Sequence, residues 1–231
     1  MTSSINTFAP LIFGLFILFC VTSSCKKESA VDLSGGCPAI DMGLSVKWAA
    51  YNVGATEDSD SGLFFAWGEV TEKACYGWHN PRDYKWGMYK EEETPEFGME
   101  KYTSFNKRLD LTDDAAAVIW GAKWRMPSKE EVSELLDRAN CTWVWGKKKD
   151  SYGYFVTSLK TNNTIFLPAT GLKDSKNLDN EFIHTGYYWS SSLDYTRPYC
   201  ARSLVFDSDY SELGFMARYL GMQIRAVTNG R

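Results

Sequence analysis

The stretch WRMPSKEEVSELL, residues 124–136, contains a helix-start signal followed by an apolar helical face. Ser128 stands where a helix N-cap is expected, and Glu131 follows at the spacing of a capping box. Pro127 stiffens the chain just before that cap, and its ring can contact Val132 in the first turn. The stretch therefore predicts a helix that begins directly after Ser128.

The predicted helix has one apolar face and one acidic face. Apolar side chains recur at i, i+3, i+4 and i+7 and so line one side, namely Val132, Leu135, Leu136 and Ala139. Three glutamates are expected to face water, namely Glu130, Glu131 and Glu134. General acid–base catalysis needs carboxylates that face each other across a cleft, so this helix is interpreted as scaffold.

Another helix is predicted immediately upstream, in LTDDAAAVIWGAKW (111–124). Thr112 is the expected N-cap, and Asp113 and Asp114 fall in the first turn, where negative charge complements the helix dipole. Gly121 is expected to take the positive-φ position that commonly ends a helix. The sequence therefore predicts two short helices in succession.

The other periodic segments alternate apolar and polar residues or form short apolar runs, which predicts β-strands. The predicted strands are AIDMGLSVKWAAYNVGA (39–55, ending in a turn), GLFFAWGEV (62–70), CTWVWG (141–146), YGYFVTSL (152–159), NTIFLPATG (163–171), TGYYWSSS (185–192), CARSLVFDSD (200–209) and YLGMQIRAV (219–227). The third and fourth should form a hairpin whose tip carries the solvated lysine run 147–149. In the last strand, Gln223 and Arg225 are expected on the polar face.

Together these elements predict an α+β domain, with two short helices beside a twisted and mainly antiparallel sheet. Aromatic residues make up 15% of the chain, so large side chains are expected to build its core. The residues expected in that core are Trp124, Leu135, Trp189 and Ile224.

A long segment, 71–105, lacks periodicity and is rich in aromatic and charged residues. We interpret it as a loop excursion that packs down through Trp78, Tyr84, Trp86 and Tyr102. The candidates for stacking against a sugar are Trp78, Tyr84, Trp86 and Tyr89, with packing onto the sheet as the alternative.

The first 24 residues carry no charged side chain and contain the apolar run LIFGLFILFCV. Eleven residues rise only about 16 Å as a helix, which is shorter than a ~30 Å hydrocarbon core. Residues 1–24 therefore read as a signal peptide, and the small residues before Cys25 resemble a lipobox. The prediction is an outer-membrane lipoprotein, periplasmic or surface-facing, that is anchored at Cys25, with residues 25–38 as a tether and 39–231 as the folded domain. The alternative is an ordinary cleaved signal that leaves Cys25 free or disulfide-bonded.

The formal net charge of −4 argues against a nucleic-acid partner, because phosphate binding needs a basic face. Two isolated histidines and no CxxC pair give a zinc site little support, and no cofactor is expected. Oxygen ligands for a hard cation are offered by Asp207, Asp209 and Glu212, although a solvated turn is the simpler interpretation.

Four cysteines follow the anchor region, namely Cys37, Cys75, Cys141 and Cys200. In an exported chain they allow two disulfides in three connectivities, or buried thiols. The connectivity stays open, and a pair of Cys200 with the distant Cys141 is interpreted as a structural bridge rather than a reactive pair.

An ordered set of motifs resembles the Fibrobacter succinogenes major paralogous domain, a family of exported and often lipidated surface proteins of Bacteroidetes and their relatives. These motifs span about residues 39–228 and are LSVKWA, YNVGA, FAWGE, DDAA, IWGAKWRMPSKEE, FLPATG, GYYWSSS and GMQIRAV. That family is similar to the C-type-lectin-like group, which includes formylglycine-generating enzymes. The resemblance implies paired amino- and carboxy-terminal strands, two helices and a long loop region.

Two positions depart from the family pattern. Tyr51 stands where a cysteine is common, and Ala226 where proline is usual. The first puts the disulfide pattern of relatives in doubt.

Three functions follow as hypotheses. The first is a non-catalytic surface module for a glycan or protein. A calcium-bridged sugar is not expected in it, because the chain lacks the Glu-Pro-Asn, Gln-Pro-Asp and Trp-Asn-Asp motifs of calcium-dependent lectins. The second is an assembly subunit that offers a strand edge to a partner. The third is an enzyme of formylglycine-generating type. That activity needs a reactive cysteine pair in the carboxy-terminal part of the fold, and this chain has only Cys200 after residue 141. A nucleophile in Ser190–Ser192 would need His184 adjacent in an open cleft.

Overall fold

Antiparallel strands form most of the regular structure in this computed structural model, which describes residues 37–77, 84–88, 98–103, 108–175, 177–178 and 183–229. All of these residues belong to one compact unit, Asp32–Arg231. The predicted signal peptide, Cys25 and most of the predicted tether lie outside the described residues. Within the described part, no helix is long and apolar enough to cross a bilayer.

The described strands pair only in antiparallel ladders, and two α-helices accompany them, which confirms the α+β prediction. The strands are β1 Ala39–Ile40, β2 Lys47–Ala49, β3 Gly87–Met88, β4 Gly98–Met99, β5 Trp124–Arg125, β6 Cys141–Lys148, β7 Ser151–Ser158, β8 Thr164–Pro168, β9 Lys173–Asp174, β10 Asn177–Leu178, β11 Gly186–Leu193, β12 Cys200–Phe206, β13 Ser211–Ala217 and β14 Val227–Thr228. The helices are α1 Ala115–Trp120 and α2 Lys129–Leu136, with a 3₁₀ turn at Leu111–Asp113.

The two ends of the described chain meet in one sheet of order β1-β2-β14-β5. Val227 of β14 lies opposite Trp48 on one side and opposite Arg125 on the other. The stretch that contains Trp124 therefore pairs with the carboxy-terminal strand just before α2 begins. Two three-stranded sheets, β6-β7-β8 and β11-β12-β13, and two short two-stranded ladders, β3-β4 and β9-β10, complete the described sheets.

Helix α2 begins where the capping box predicts. The Ser128 hydroxyl accepts a hydrogen bond from Glu131 N at 3.3 Å, and the Glu131 carboxylate accepts one from Ser128 N at 2.7 Å. Val132 and Leu135 are buried and face β11, β12 and β13. The predicted apolar face ends early, because the helix stops at Leu136 and leaves Ala139 exposed.

Two of the three glutamates of α2 do not simply face water, which corrects the sequence prediction. The Arg125 guanidinium donates two hydrogen bonds to Glu131, at 2.6 and 2.7 Å. Glu134 accepts hydrogen bonds from the backbone N–H and the hydroxyl of Ser45, at 3.1 and 2.6 Å. Both carboxylates therefore join α2 to neighbouring segments, and only Glu130 is exposed.

The N-cap of α1 is Asp114, so the prediction of Thr112 was wrong. The Asp114 carboxylate accepts hydrogen bonds from Ala116 N at 3.0 Å and Ala117 N at 3.2 Å. It also accepts one from Met126 N at 2.7 Å, which no local pattern indicates. The 3₁₀ turn before α1 leaves Thr112 exposed. Gly121 ends the helix at φ 89°, as expected.

All four residues predicted for the core are confirmed as buried: Trp124 at 2% exposure, and Leu135, Trp189 and Ile224 at 0%. Trp124 packs edge-on against Trp120, with ring centroids 5.4 Å apart. Leu135 belongs to a different cluster, in which α2 meets the sheets β6-β7-β8 and β11-β12-β13.

Three strand predictions need correction. The segment 62–70 makes one bridge, between Phe65 and Met222, rather than a strand. Strand β13 was not predicted, because SELGFMA does not alternate regularly. In the last segment, regular strand is confined to β14, and Gln223 and Arg225 are buried at 0% and 1% exposure. The Gln223 amide nitrogen donates to the Gly171 carbonyl, and the Arg225 guanidinium donates to the Phe166 carbonyl.

The excursion at 71–105 packs inward through the described residues Tyr84, Trp86 and Tyr102, as predicted. Tyr102 donates a hydrogen bond to Asp113 at 2.6 Å, and Arg218 donates one to the Lys101 carbonyl at 3.1 Å. The Arg218 guanidinium therefore fixes part of the excursion from within the protein. Trp78 lies outside the described residues.

Cys37, Cys75, Cys141 and Cys200 are free thiols, so no disulfide joins Cys141 to Cys200. Both of these side chains are buried, at 0% and 5% exposure. Burial raises the pKa of each thiol, and for Cys200 the value reaches about 11. The structure therefore has these four cysteines as unpaired thiols, which was the alternative to disulfides.

Candidate functional site

The hairpin β6–β7 carries a row of aromatic side chains on one face. Its register places Trp145 opposite Tyr154 and Lys147 opposite Tyr152. Since side chains alternate between faces along a strand, Trp143 shares the face of Trp145 and Lys147. We call this set, Trp143, Trp145, Lys147, Tyr152 and Tyr154, the aromatic hairpin face.

The rings of this face touch one another in sequence. Trp143 and Tyr154 meet edge-on with centroids 5.2 Å apart, and Tyr154 and Trp145 at 5.1 Å. Trp145 then lies nearly parallel to Tyr152, at 6.4 Å and 13°. His184 adds a further ring, edge-on to Tyr152 at 5.0 Å. Such contacts fix ring orientation more tightly than area burial alone does.

Exposure rises along this row from the core to the surface. Tyr154 is buried at 6% exposure and contacts Phe206 of the core. Trp145 is half-buried, whereas Tyr152 is 38% exposed and His184 is also exposed. The outer part of the row is therefore an aromatic surface supported from beneath by buried rings.

One of these rings is carried by a residue with an unusual backbone conformation. His184 has φ 77°, in the left-handed region that non-glycine residues seldom adopt. A conformation of this kind costs free energy and is kept where the surrounding structure imposes it. Here it accompanies the contact of the imidazole with the edge of Tyr152.

The hairpin is fastened to an acidic loop by the lysine run. Lys148 binds Asp58 at 2.6 Å, and Lys149 binds Glu57. Ser151 donates a hydrogen bond to the Ser59 carbonyl at 2.7 Å. Two of the three lysines therefore anchor the hairpin rather than being merely solvated. Lys147 instead has its ammonium 5.5 Å from the centroid of Tyr152.

The acidic turn at 207–210 borders the aromatic hairpin face. Tyr154 donates a hydrogen bond to the Ser208 carbonyl at 3.3 Å. Asp207 accepts hydrogen bonds from Asp209 N at 2.8 Å and Tyr210 N at 3.1 Å, so it shapes the turn. Asp209 is exposed and directly follows Ser208, whose carbonyl accepts the hydrogen bond from Tyr154.

Asp207, Asp209 and Glu212 are the residues that the sequence offers as oxygen ligands for a metal ion. Asp207 is occupied with the turn, and Glu212 lies in β13 opposite Val205. Among the residues that the structure describes, no group of three or more His, Cys, Asp or Glu side chains could hold a metal ion. The Asp207 carboxylate is a structural part of this turn.

The sugar-stacking candidates of the excursion are placed differently. Tyr84 is buried at 2% exposure and donates a hydrogen bond to the Trp67 carbonyl at 2.9 Å. Trp86 is half-buried, and its indole donates to the Gly68 carbonyl at 3.2 Å. Trp78 and Tyr89 lie outside the described residues. Tyr84 is therefore not available at the surface, and the face of Trp86 is taken up partly by packing.

The serine run and His184 are not brought together. Ser190 and Ser191 donate hydrogen bonds to the carbonyls of Arg202 and Pro127, at 2.8 and 3.3 Å. Ser192 accepts a hydrogen bond from Lys129 N at 3.0 Å. His184, in contrast, packs against Tyr152. The hydroxyl groups of Ser190 and Ser191 are thus used to join β11 to its neighbours.

The aromatic hairpin face was not identified as a site from the sequence. The signal for it was present, because W-x-W in the first strand and Y-x-Y in the second place four rings on one face of a hairpin. The exposure of Tyr152 and the approach of His184 required the tertiary structure, since they depend on where the domain ends around the hairpin.

Comparison of the chain with protein-family models, with curated proteins and with solved structures found no match.

Proposed function

We propose that this protein is a non-catalytic binding module of the cell envelope that holds a glycan against the aromatic hairpin face. The observation that carries the proposal is the row of rings that ends at the surface in Trp145, Tyr152 and His184. A sugar ring presents an apolar face of C–H groups, which packs well against an aromatic ring. Sugar hydroxyls then need polar partners beside that ring.

Polar partners of this kind surround the exposed rings. The Trp145 indole N–H and the Tyr152 hydroxyl are polar groups that these two rings carry themselves and can offer to a ligand. The Asp209 carboxylate can accept hydrogen bonds from sugar hydroxyls, and Lys147 can donate them. Lys147 lies beside Tyr152, and Asp209 lies on the turn that borders the aromatic hairpin face.

Support for a non-catalytic role comes from the groups that an enzyme would need. The Cys200 thiol is buried, and burial together with nearby Asp194 raises its pKa to about 11, which keeps it protonated and unreactive. Each hydroxyl of Ser190–Ser192 takes part in a structural hydrogen bond.

The proposal also places the protein at the outer membrane through a lipid on Cys25, with a C-type-lectin-like fold. The pairing of β2 with β14 supports that fold, since the family resemblance implies paired terminal strands. The net charge of −4 supports a partner other than nucleic acid.

A glycan array tests the proposal, with the full-length protein applied in calcium and again in chelator. We expect selective binding that survives the chelator and is lost in Trp145→Ala and Tyr152→Ala. Phe215→Ala is the matched control, because Phe215 is 41% exposed and lies on β13. Binding lost with the chelator would indicate a cation at Asp207, Asp209 and Glu212, and would contradict the proposal. An equal loss of glycan binding in Trp86→Ala would instead place the glycan site in the excursion at 71–105.

The second candidate function is an assembly subunit, and strand β13 is the observation that favours it. Strand β13 is the last strand of the sheet β11-β12-β13, and no described strand pairs with its outer edge. An extended segment of a partner could add there through backbone hydrogen bonds. Folded protein that binds no glycan, together with crosslinks from β13 to another envelope protein, would favour this function.

A further inference from the structure

A separate cleft lies between the start of α2, the end of β11 and Arg108. It encloses about 280 Å³ and is lined by Arg108, Lys129, Glu130, Ser192, Leu193 and Tyr195. None of these residues belongs to the aromatic hairpin face. The chemistry of this cleft is therefore independent of that face.

A β-bulge builds the floor of the cleft. The register between β11 and β12 shifts between Trp189 and Leu193, so the intervening serines leave the regular ladder. Ser192 instead bridges to Arg108 and accepts a hydrogen bond from Lys129 N at 3.0 Å. A hydroxyl that accepts one hydrogen bond can still donate its own hydrogen. This nearly buried side chain, 4% exposed, can donate into the cleft.

Two cations stand above that floor. Arg108 and Lys129 each lie 3.7 Å from the Glu130 carboxylate, and all three side chains are exposed. That distance is longer than a hydrogen bond, so the guanidinium and ammonium donors are not consumed by Glu130. Exposed pairs of this kind are also weak. The cleft therefore presents two positive groups against one negative group, and helix α2 begins at the same place.

An exposed ring forms one wall. Tyr195 is 60% exposed, although the turn that carries it is well fixed. The Asp194 carboxylate accepts hydrogen bonds from Thr196 N at 3.0 Å and Thr196 Oγ1 at 2.7 Å. Arg197 N donates to the Asp194 carbonyl at 3.1 Å. The phenol ring is thus held at the rim of the cleft without being covered.

We propose that this cleft binds the carboxylate of an acidic sugar, such as a uronic acid residue. The carboxylate would accept hydrogen bonds from the Arg108 guanidinium, the Lys129 ammonium and the Ser192 hydroxyl, since all three residues line the cleft. The sugar ring would lie against Tyr195. The choice of a sugar as carrier of the carboxylate rests on the proposed glycan function, whereas the carboxylate site rests on the three donors alone.

Saturation-transfer NMR tests this site on the full-length protein, with glucuronate, glucose and acetate as separate probes. We expect glucuronate to bind at least about tenfold more tightly than glucose, since each hydrogen bond from a charged donor to the carboxylate is worth roughly that factor. Arg108→Gln and Lys129→Gln should each weaken glucuronate binding about tenfold. Added salt should weaken it as well, because both cations are exposed.

The control is Lys123→Gln, which removes the same charge from an exposed lysine outside the cleft and should leave binding unchanged. Equal binding of glucose and glucuronate, or unchanged glucuronate binding in both cleft variants, would overturn the proposal. Acetate binding as tight as that of glucuronate would overturn the assignment of a sugar.

One further variant separates this site from the proposed function. Trp145→Ala should abolish array binding at the aromatic hairpin face and leave glucuronate binding intact. Loss of glucuronate binding in Trp145→Ala would contradict the independence of the cleft. If the array shows no glycan binding while glucuronate still binds, only the proposed site at the aromatic hairpin face is rejected.

Discussion

The Arg225 guanidinium donates a hydrogen bond from Nε to the side-chain oxygen of Asn52 at 2.8 Å, across 173 positions of sequence. Both side chains are buried, at 1% and 0% exposure. The remaining nitrogens of Arg225 donate to the carbonyls of Ala49, Ala50 and Phe166. One buried cation thus joins the turn after β2, strand β8 and the carboxy-terminal segment.

Arg225→Lys should lower the free energy of unfolding by about 3 kcal/mol. Lysine has no planar fork of donors, so at least two of the four oxygens would lose their hydrogen bonds inside the protein. Urea unfolding followed by tryptophan fluorescence measures the difference. The same exchange at Arg197, which is only half-buried, should change stability by less than about 0.5 kcal/mol. A loss below about 1 kcal/mol in Arg225→Lys would contradict this account.

Trp124→Ala should cost about 3–5 kcal/mol, the usual range for emptying a large aromatic site. Trp124 is 2% exposed and packs against Trp120, and its strand pairs with β14. Thermal unfolding gives the comparison, with Leu111→Ala as a control because Leu111 is 50% exposed. An unchanged melting temperature would show that Trp124 is not part of the core.

Ser128→Ala should cost about 1 kcal/mol through loss of the cap of α2. The variant leaves Glu131 N without the acceptor that the Ser128 hydroxyl now supplies at 3.3 Å. Ser133→Ala is the matched control, because Ser133 lies on the exposed side of the same helix and bonds only to its own backbone turn. Equal stability of both variants, measured by chemical unfolding, would place the start of the helix elsewhere.

Asp114 should make part of the stability fall as pH rises. Burial raises the pKa of its carboxyl to about 6, against about 3.9 in an unfolded chain. The folded protein therefore holds the proton more tightly, so this contribution is complete below about pH 4 and is lost between about pH 4 and 6. Two pKa units correspond to about 3 kcal/mol.

The readout for Asp114 is the difference between the wild-type protein and Asp114→Asn, measured by urea unfolding at several pH values. The difference is needed because other carboxylates act in the opposite direction. Against the effect of burial, for example, Arg125 lowers the pKa of Glu131, whose contribution is lost as pH falls. A wild-type and variant pair with parallel pH profiles from 4 to 6 would refute the prediction.

Arg218→Lys should loosen the excursion while leaving the helices folded. Arg218 is 1% exposed and donates to the carbonyls of Lys101, Tyr102 and Pro198 and to the Tyr84 hydroxyl. A lysine would satisfy fewer of these oxygens. Limited proteolysis should then cut within 71–105 several-fold faster than in the wild-type protein, with Arg202→Lys as the control. Unchanged cleavage would mean that other contacts hold the excursion.

Local sequence patterns predicted the parts of the fold whose causes are local. The capping box at Ser128 and Glu131 and the positive φ at Gly121 involve neighbours within one turn of chain. The prediction of Thr112 as a cap was wrong, and a contact from outside the helix accompanies the cap that is used instead. Asp114 is the better cap because it also receives a hydrogen bond from Met126, which lies beyond the helix.

The candidate sites could be predicted less well, because surface and interior are assigned only when distant segments meet. Tyr84 and Tyr152 are both tyrosines in aromatic-rich stretches, yet one is 2% exposed and the other 38%. Arg225 resembles a surface residue in an alternating strand, and only Asn52 and three backbone carbonyls explain its burial.

By itself, the sequence determined the two helices, the hairpin and the mainly antiparallel class of the fold, because hydrophobic period and capping chemistry act within a few residues. Tertiary structure alone decided which aromatic rings face solvent, how the cysteines are placed and where the two buried arginines find their acceptors. Those features depend on contacts between segments far apart in sequence, such as Asn52 and Arg225, and no local pattern encodes such a contact.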